Sequence, residues 1–89
     1  MKLATGIGYS GASMRIDMDF VLDVERLGYD SIWTAEAYGS DAVTPLAFLA
    51  ARTSKIKLGT SIMQAGTRTP AAVAMTALTM ASLTNGRFI

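Results

Sequence analysis

Cysteine and histidine are both missing from these 89 residues. Without cysteine there is no disulfide and no thiolate nucleophile. Without histidine the chain lacks the commonest general base and the commonest metal ligand. A Ser-His-Asp triad is excluded within it, and a zinc site is left without its usual donors. Charge is sparse too: 17% of residues carry it, the net is +1, and no basic stripe stands ready for nucleic acid. No run of about 18 uninterrupted apolar residues occurs, so no membrane-spanning helix is predicted. The opening "MKLATGIGYSG" has one lysine and no long apolar core behind it, which is not the pattern of a signal peptide. These absences predict a cytoplasmic protein that engages neither nucleic acid nor membrane.

What is present is apolar. Hydrophobic residues make up 51% of the chain, too many for disorder and many for one small domain. Either the helices are buried on two sides, or an apolar face is left for a partner.

Strand and helix patterns alternate three times. Lys2–Gly8 reads as a short strand and Met14–Leu27 as a helix. In that helix Phe20, Val24 and Leu27, joined by Ile16, form the apolar stripe, and Gly28 follows as the stop. Ser31–Glu36 "SIWTAE" is rich in β-branched and aromatic residues and reads as the second strand, with Trp33 in the core. A helix over 41–53 follows, with Pro45 confined to its first turn. Ile56–Met63 is the third strand. Thr69-Pro70 starts a third helix, with threonine as cap and proline at the first position, and Asn85-Gly86 ends it. Arg87-Phe88-Ile89 opens a fourth strand. The order βαβαβα(β), with apolar strands and short connections, predicts an α/β fold with a parallel sheet covered by helices. The helix over 70–83 is apolar or small almost all round. It is buried by its own sheet and the neighbouring helix, or forms a subunit interface, and the two readings are not exclusive.

Three stretches carry possible chemistry. Gly6–Gly11 "GIGYSG" is a literal G-x-G-x-x-G after a strand, and Glu36 ends the next strand, as in a dinucleotide fingerprint. The helical pattern is cleaner only from Phe20 onward, and Arg15 stands where close packing wants a small residue. The stretch therefore favours a flexible loop over a Rossmann-like phosphate site. Glu36 is the one carboxylate among the strand C-terminal ends, where ligands of α/β folds lie. It is a ligand contact, or else a loop acid or a cap for the next helix. "LGTSIMQAGTRTP" puts Gly-Thr-Ser in a strand centre, which is weak by propensity. Small residues there admit a flat ligand against the backbone, or mark a bulge or a tight interior.

The stretches "LGYDSIWTAEAYGSDAVTPLAFLAARTSKIKLGTSI" and "RTPAAVAMTALTMASLTNGRFI", in register, resemble the N-terminal part of the luciferase-like monooxygenase family, in the branch that uses the deazaflavin coenzyme F420. The resemblance implies a (β/α)₈ TIM barrel, of which 1–89 would be an incomplete N-terminal portion, since a full barrel takes about 250 residues. It implies coenzyme F420, with FMN as the alternative, bound at the strand C-terminal ends for hydride transfer or oxygenation of a small-molecule substrate. It implies cofactor contacts at Glu36, Thr60, Ser61, Ile62 and Gln64, with a non-prolyl cis peptide at Ser61–Ile62 behind the ring. The family often has histidine directly after the acid; here Ala37 stands there, so no catalytic residue is carried over. Homo-oligomerisation through the helices over 41–53 and 70–83 is implied as well. Three strands cannot close a barrel, so the chain is expected to be a truncation, a fragment or one piece of a split barrel. Alone it would be inactive, pairing or self-associating through its apolar surfaces.

Overall fold

The computed structural model describes residues 1–8 and 11–89. Three parallel strands, β1 (Ala4–Gly8), β2 (Ser31–Ala35) and β3 (Lys57–Ile62), lie side by side in chain order. Helices α1 (Met18–Arg26), α2 (Val43–Ala50) and α3 (Pro70–Leu83) alternate with them, and a short 3₁₀ turn, Ala65–Thr67, precedes α3. The fourth strand begins as expected. Phe88 bridges Leu58 in parallel, and the Leu58 N–H donates to Arg87 O while Ile89 N–H donates to Leu58 O. The open βαβαβα(β) sheet read from the sequence is therefore the architecture.

The helix boundaries follow their caps. Thr69 accepts the Ala72 N–H at 3.1 Å and Pro70 is the first residue of α3, both at the expected positions. Asn85 and Gly86 end it with φ of 54° and 80°, the left-handed turn these two residue types adopt most easily. Pro45 sits in the first turn of α2. That helix is shorter than the 41–53 expected, because Asp41 is spent on its N-terminus, accepting the Val43 and Thr44 N–H groups at 3.0 and 2.8 Å. Likewise α1 starts at Met18 rather than Met14: Asp17 caps it, accepting the Phe20 N–H at 3.1 Å.

One face of the sheet is covered. Ile32, Ile56 and Leu58 pack there against Val21 and Val24 of α1, Leu46 and Leu49 of α2, and Met80 of α3. The apolar stripe expected on α1 is only partly the buried one. Val24 and Ile16 join the core, but Val21 replaces Phe20 and Leu27, which are exposed. Leu27 lies past the last helical turn, and Phe20 stands beside Gly6 and Ile7 at β1, which is an edge strand among the described residues. Of α3 only Met80 is buried, while Met75, Leu78 and Leu83 are exposed. Ala72, Val73, Thr76, Ala77 and Ala81 are half-buried on the side of Met80, so one face of α3 is covered and the other is open.

Trp33 is not part of that core. Strand alternation turns it to the opposite face, where it is half-buried and its indole N–H donates to Ser31 Oγ at 2.9 Å. Its ring lies across Gly59, its register partner on β3. A methyl group at Gly59 would meet the ring at 2.5–2.9 Å, closer than any real contact. Glycine in mid-strand is thus explained by the ring rather than by backbone freedom. Gly59→Ala is expected to push the indole off the strand and to destabilise the chain by about 1–3 kcal/mol. Urea unfolding with near-UV circular dichroism tests this; an unchanged tryptophan signal and midpoint would contradict it.

Candidate functional site

The C-terminal ends of the strands converge on one carboxylate. Glu36, directly after β2, is 8% exposed. Its Oε1 accepts the Gln64 N–H at 2.6 Å and a hydrogen bond from Arg68 Nη1. Its Oε2 accepts the Ala42 N–H at 2.8 Å and Arg68 Nη2 at 2.9 Å. One side chain therefore ties the end of β2 to the start of α2, the segment after β3 and the turn before α3. The paired Arg68 guanidinium holds the Glu36 carboxyl far below its ordinary value, to about 2, against the opposing effect of burial and with help from the Gln64 and Ala42 N–H groups.

Around this pair the loops are pinned further. Arg68 Nη1 donates to Gln64 O at 3.1 Å, Thr67 Oγ1 donates to the same carbonyl at 2.9 Å, and Gln64 Nε2 donates to Ala37 O at 2.7 Å. Thr34 Oγ1 donates to Ala42 O at 2.6 Å. Together Glu36, Tyr38, Asp41, Gln64, Thr67 and Arg68 line a polar cleft of about 240 Å³. A larger groove of about 330 Å³, lined by Met14, Ile16, Pro45 and Phe48, is mostly apolar and lies beside α2, and it shares Ser40 and Asp41 with the cleft.

Just before the cleft the pairing of β2 with β3 slips. Thr34 pairs with Thr60 and Ala35 with Ile62, so Ser61 is an extra residue in β3. The bulge is present, but every described peptide bond is trans, so the cis Ser61–Ile62 bond implied by the family resemblance is not found. A one-residue bulge absorbs the extra length with the trans bond, which is favoured by roughly 3–4 kcal/mol for a non-prolyl residue. Ser61 Oγ donates to Thr34 O at 3.0 Å and Glu36 N–H donates to Ile62 O at 3.1 Å, holding the bulge from both sides. The Ile62 side chain is 61% exposed.

Of the five candidate residues, Glu36 and Gln64 are joined directly, Ser61 is joined to β2 by its hydroxyl, and Ile62 pairs with Ala35 and holds the Glu36 N–H through its carbonyl. Thr60 stands apart: it is half-buried and shares the helix-facing side of β3 with Leu58. Of the readings left open above, the structure shows Glu36 accepting the Ala42 N–H at the start of α2, and its two oxygens accept four hydrogen bonds in all at the edge of the cleft. Arg68 and Thr34 were not singled out in the sequence. A lone arginine in a loop carries no signal of its own, and its partner lies 32 positions away. Among the described residues no cluster of acidic side chains could hold a metal ion, and no helix is long and apolar enough to cross a membrane.

Of "GIGYSG", Tyr9 and Ser10 lie outside the described residues. Gly6 and Gly8 belong to β1, and α1 begins only at Met18, so Gly11 does not open a helix onto which a pyrophosphate could sit. The Rossmann-like alternative is overturned by this geometry.

Parallel strands in chain order, each followed by a helix, with a bulged strand end beside a polar cleft, define the start of a (β/α) barrel. The sequence pattern of the luciferase-like monooxygenase family matches residues 2–89, and the chain belongs to that family. It is 47% identical over 90 residues to a "Putative coenzyme F420-dependent oxidoreductase" of Mycobacterium tuberculosis, covering all of this chain and 26% of that protein. It is 32% identical over 81 residues to an F420-dependent glucose-6-phosphate dehydrogenase of Kineococcus radiotolerans, covering 80% of this chain and 24% of that protein. A protein of the same name from Amycolatopsis mediterranei is 29% identical over 97 residues. The chain spans about a quarter of the length of the first two.

Proposed function

We propose that this chain forms the ring-binding side of a cofactor pocket in an F420-dependent oxidoreductase, with FMN as the alternative cofactor. The observation that carries the reading is the bulge at Ser61–Ile62. It sits at the C-terminal end of a parallel sheet, with Ser61 and Ile62 exposed, and the Ser61 hydroxyl and the Ile62 carbonyl fix it to β2 and Glu36. That end of the strands is where ligands of α/β barrels bind. Relatives named as F420-dependent support the choice of cofactor. The Ser61–Ile62 backbone and the Ile62 side chain offer a flat, partly apolar wall for a ring, and Gln64 supplies a polar group beside it. Coenzyme F420, when bound, supplies hydride chemistry. The chain's own residues orient the ring and shield one of its faces.

The test is a fluorescence titration with coenzyme F420 and with FMN, on the chain and on a longer polypeptide that completes a luciferase-like barrel. Saturable binding of F420 by the longer polypeptide is expected, and Ile62→Asp, which puts a charge against the ring, is expected to weaken it by roughly tenfold or more. A longer polypeptide that is folded and binds neither cofactor would sink the reading.

A further inference from the structure

Arg68 reaches Glu36 with both terminal nitrogens and turns Nη1 back to the carbonyl of Gln64. Glu36 Oε1 meanwhile holds the Gln64 N–H. Both backbone groups of Gln64 are therefore gripped by one ion pair. Gln64 is two residues past Ile62, whose carbonyl is fixed by Glu36 N–H. The segment from the bulge to the start of α3 has only a three-residue 3₁₀ turn of its own, with no buried residue in it. Apolar packing does not set its position. The charge-assisted, bidentate pair is the strongest contact available to it.

We infer that Arg68 is a positioning residue: through Glu36 it locks residues 62–68 against the end of β2 and so sets where Gln64 and the bulge face the pocket. Glu36 belongs to that clamp and does not itself touch the cofactor. A planar fork is required here. Lysine would keep the charge but reach only one oxygen at a time, and it would lose the link to Gln64 O. The inference draws its functional meaning from the cofactor reading above, but its geometry stands without it.

Amide hydrogen exchange by NMR on the chain without cofactor, in wild type, Arg68→Met, Arg68→Lys and Glu36→Gln, tests the clamp. In Arg68→Met, exchange at Gln64 and Ala42 is expected to speed up by roughly tenfold or more while Ile32 and Leu58 in the sheet stay protected, a local opening rather than a global one. Arg68→Lys should recover part of this protection, and it remains informative if the methionine variant does not fold. Adding Arg68→Met to Glu36→Gln should do little more than Glu36→Gln alone, since both break the same unit. Unchanged exchange at Gln64, or an equal rise at every amide, would overturn the clamp. F420 titration of the same variants in the longer polypeptide keeps the two ideas apart. If wild type binds and Arg68→Met binds as well, positioning fails while the cofactor reading survives. If wild type does not bind, the cofactor reading fails, while the exchange data still decide the clamp.

Discussion

Arg87→Met is expected to lower the unfolding free energy of the chain by about 3 kcal/mol, a sum of lost charge-assisted hydrogen bonds that are not fully additive. Arg87 opens the fourth strand at the end of the sheet opposite to the cleft. Its Nε donates to Thr84 O at 3.0 Å, its Nη1 to Thr53 Oγ1 and Ile56 O at 3.0 Å each, and its Nη2 to Ala50 O and Thr53 O at 3.2 and 3.1 Å. All three guanidinium nitrogens are engaged. One of the acceptors, Ala50 O, lies at the C-terminal end of α2, where backbone carbonyls lack helical partners and a cation is favoured, and Thr53 O follows in the turn after it. Glu25, in the last turn of α1, grips the same α2–β3 connection from the other side. Its carboxylate accepts the N–H groups of Ser54, Lys55 and Ile56 at 3.0, 2.8 and 2.9 Å. Removing Arg87 leaves five acceptors to find water or each other. For a domain of this size the corresponding drop in Tm is on the order of 15 °C. Urea unfolding followed by far-UV circular dichroism measures it, with Arg87→Lys as the companion. Lysine should recover less than half of the loss, because it restores charge without the fork. A change of less than about 1 kcal/mol in Arg87→Met would show that the network is ornamental.

Acid should destabilise the chain progressively as pH falls from about 4.5 toward 2. Glu36 is held at about 2, first by the Arg68 side chain, against burial, and then by the Gln64 and Ala42 N–H groups. For Glu25, burial pushes the carboxyl up, but the N–H groups of Ile56, Lys55 and Ser54 and the charge of Arg87 outweigh it, so the net shift is also downward. The ordinary value for both is 4.5. Both folded values lie below the unfolded ones, so the unfolded chain binds more protons as pH falls below the ordinary value. The contribution of these groups is therefore full above pH 5 and is lost on descent from about 4.5 toward 2. A flat Tm from pH 7 to 5, followed by a steep fall, is expected in calorimetric scans. Glu36→Gln should lower Tm at pH 7, because its amide N–H₂ cannot accept from Gln64 or Ala42, and it should also flatten the acid limb. A Tm that does not change between pH 5 and 2.5, or a Glu36→Gln acid limb parallel to that of the wild type, would contradict the assignment.

The two charge clamps were the least legible parts of the sequence. Glu25 and Arg87 stand 62 positions apart in "VERLGYD" and "TNGRF", and nothing in either stretch marks them as sharing a loop. Arg68 lies inside a motif that was read for its small residues and its proline. Glu36 was found by its place at a strand end, but its partners were not. Mid-strand glycine, threonine and serine leave a bulge as one of several readings; the family resemblance implies it at Ser61–Ile62, with a cis bond where the structure has a trans one. Trp33 was placed in the core because tryptophan is large and apolar; which face of a strand it occupies depends on the register against β1 and β3.

Local chemistry in the sequence determined the elements themselves: Thr69-Pro70 starts α3, Asn85-Gly86 stops it, Gly28 with φ of 83° ends α1, and Phe88 bridges to β3 where a fourth strand was read. Caps, turns and apolar runs act over a few residues, so they can be read in one dimension. Tertiary structure alone decided that Glu36 meets Arg68, that Glu25 and Arg87 grip one loop, and that Trp33 lies over Gly59. Such contacts depend on strand register and on how each helix lies across the sheet, and these are set by packing between segments far apart in the chain.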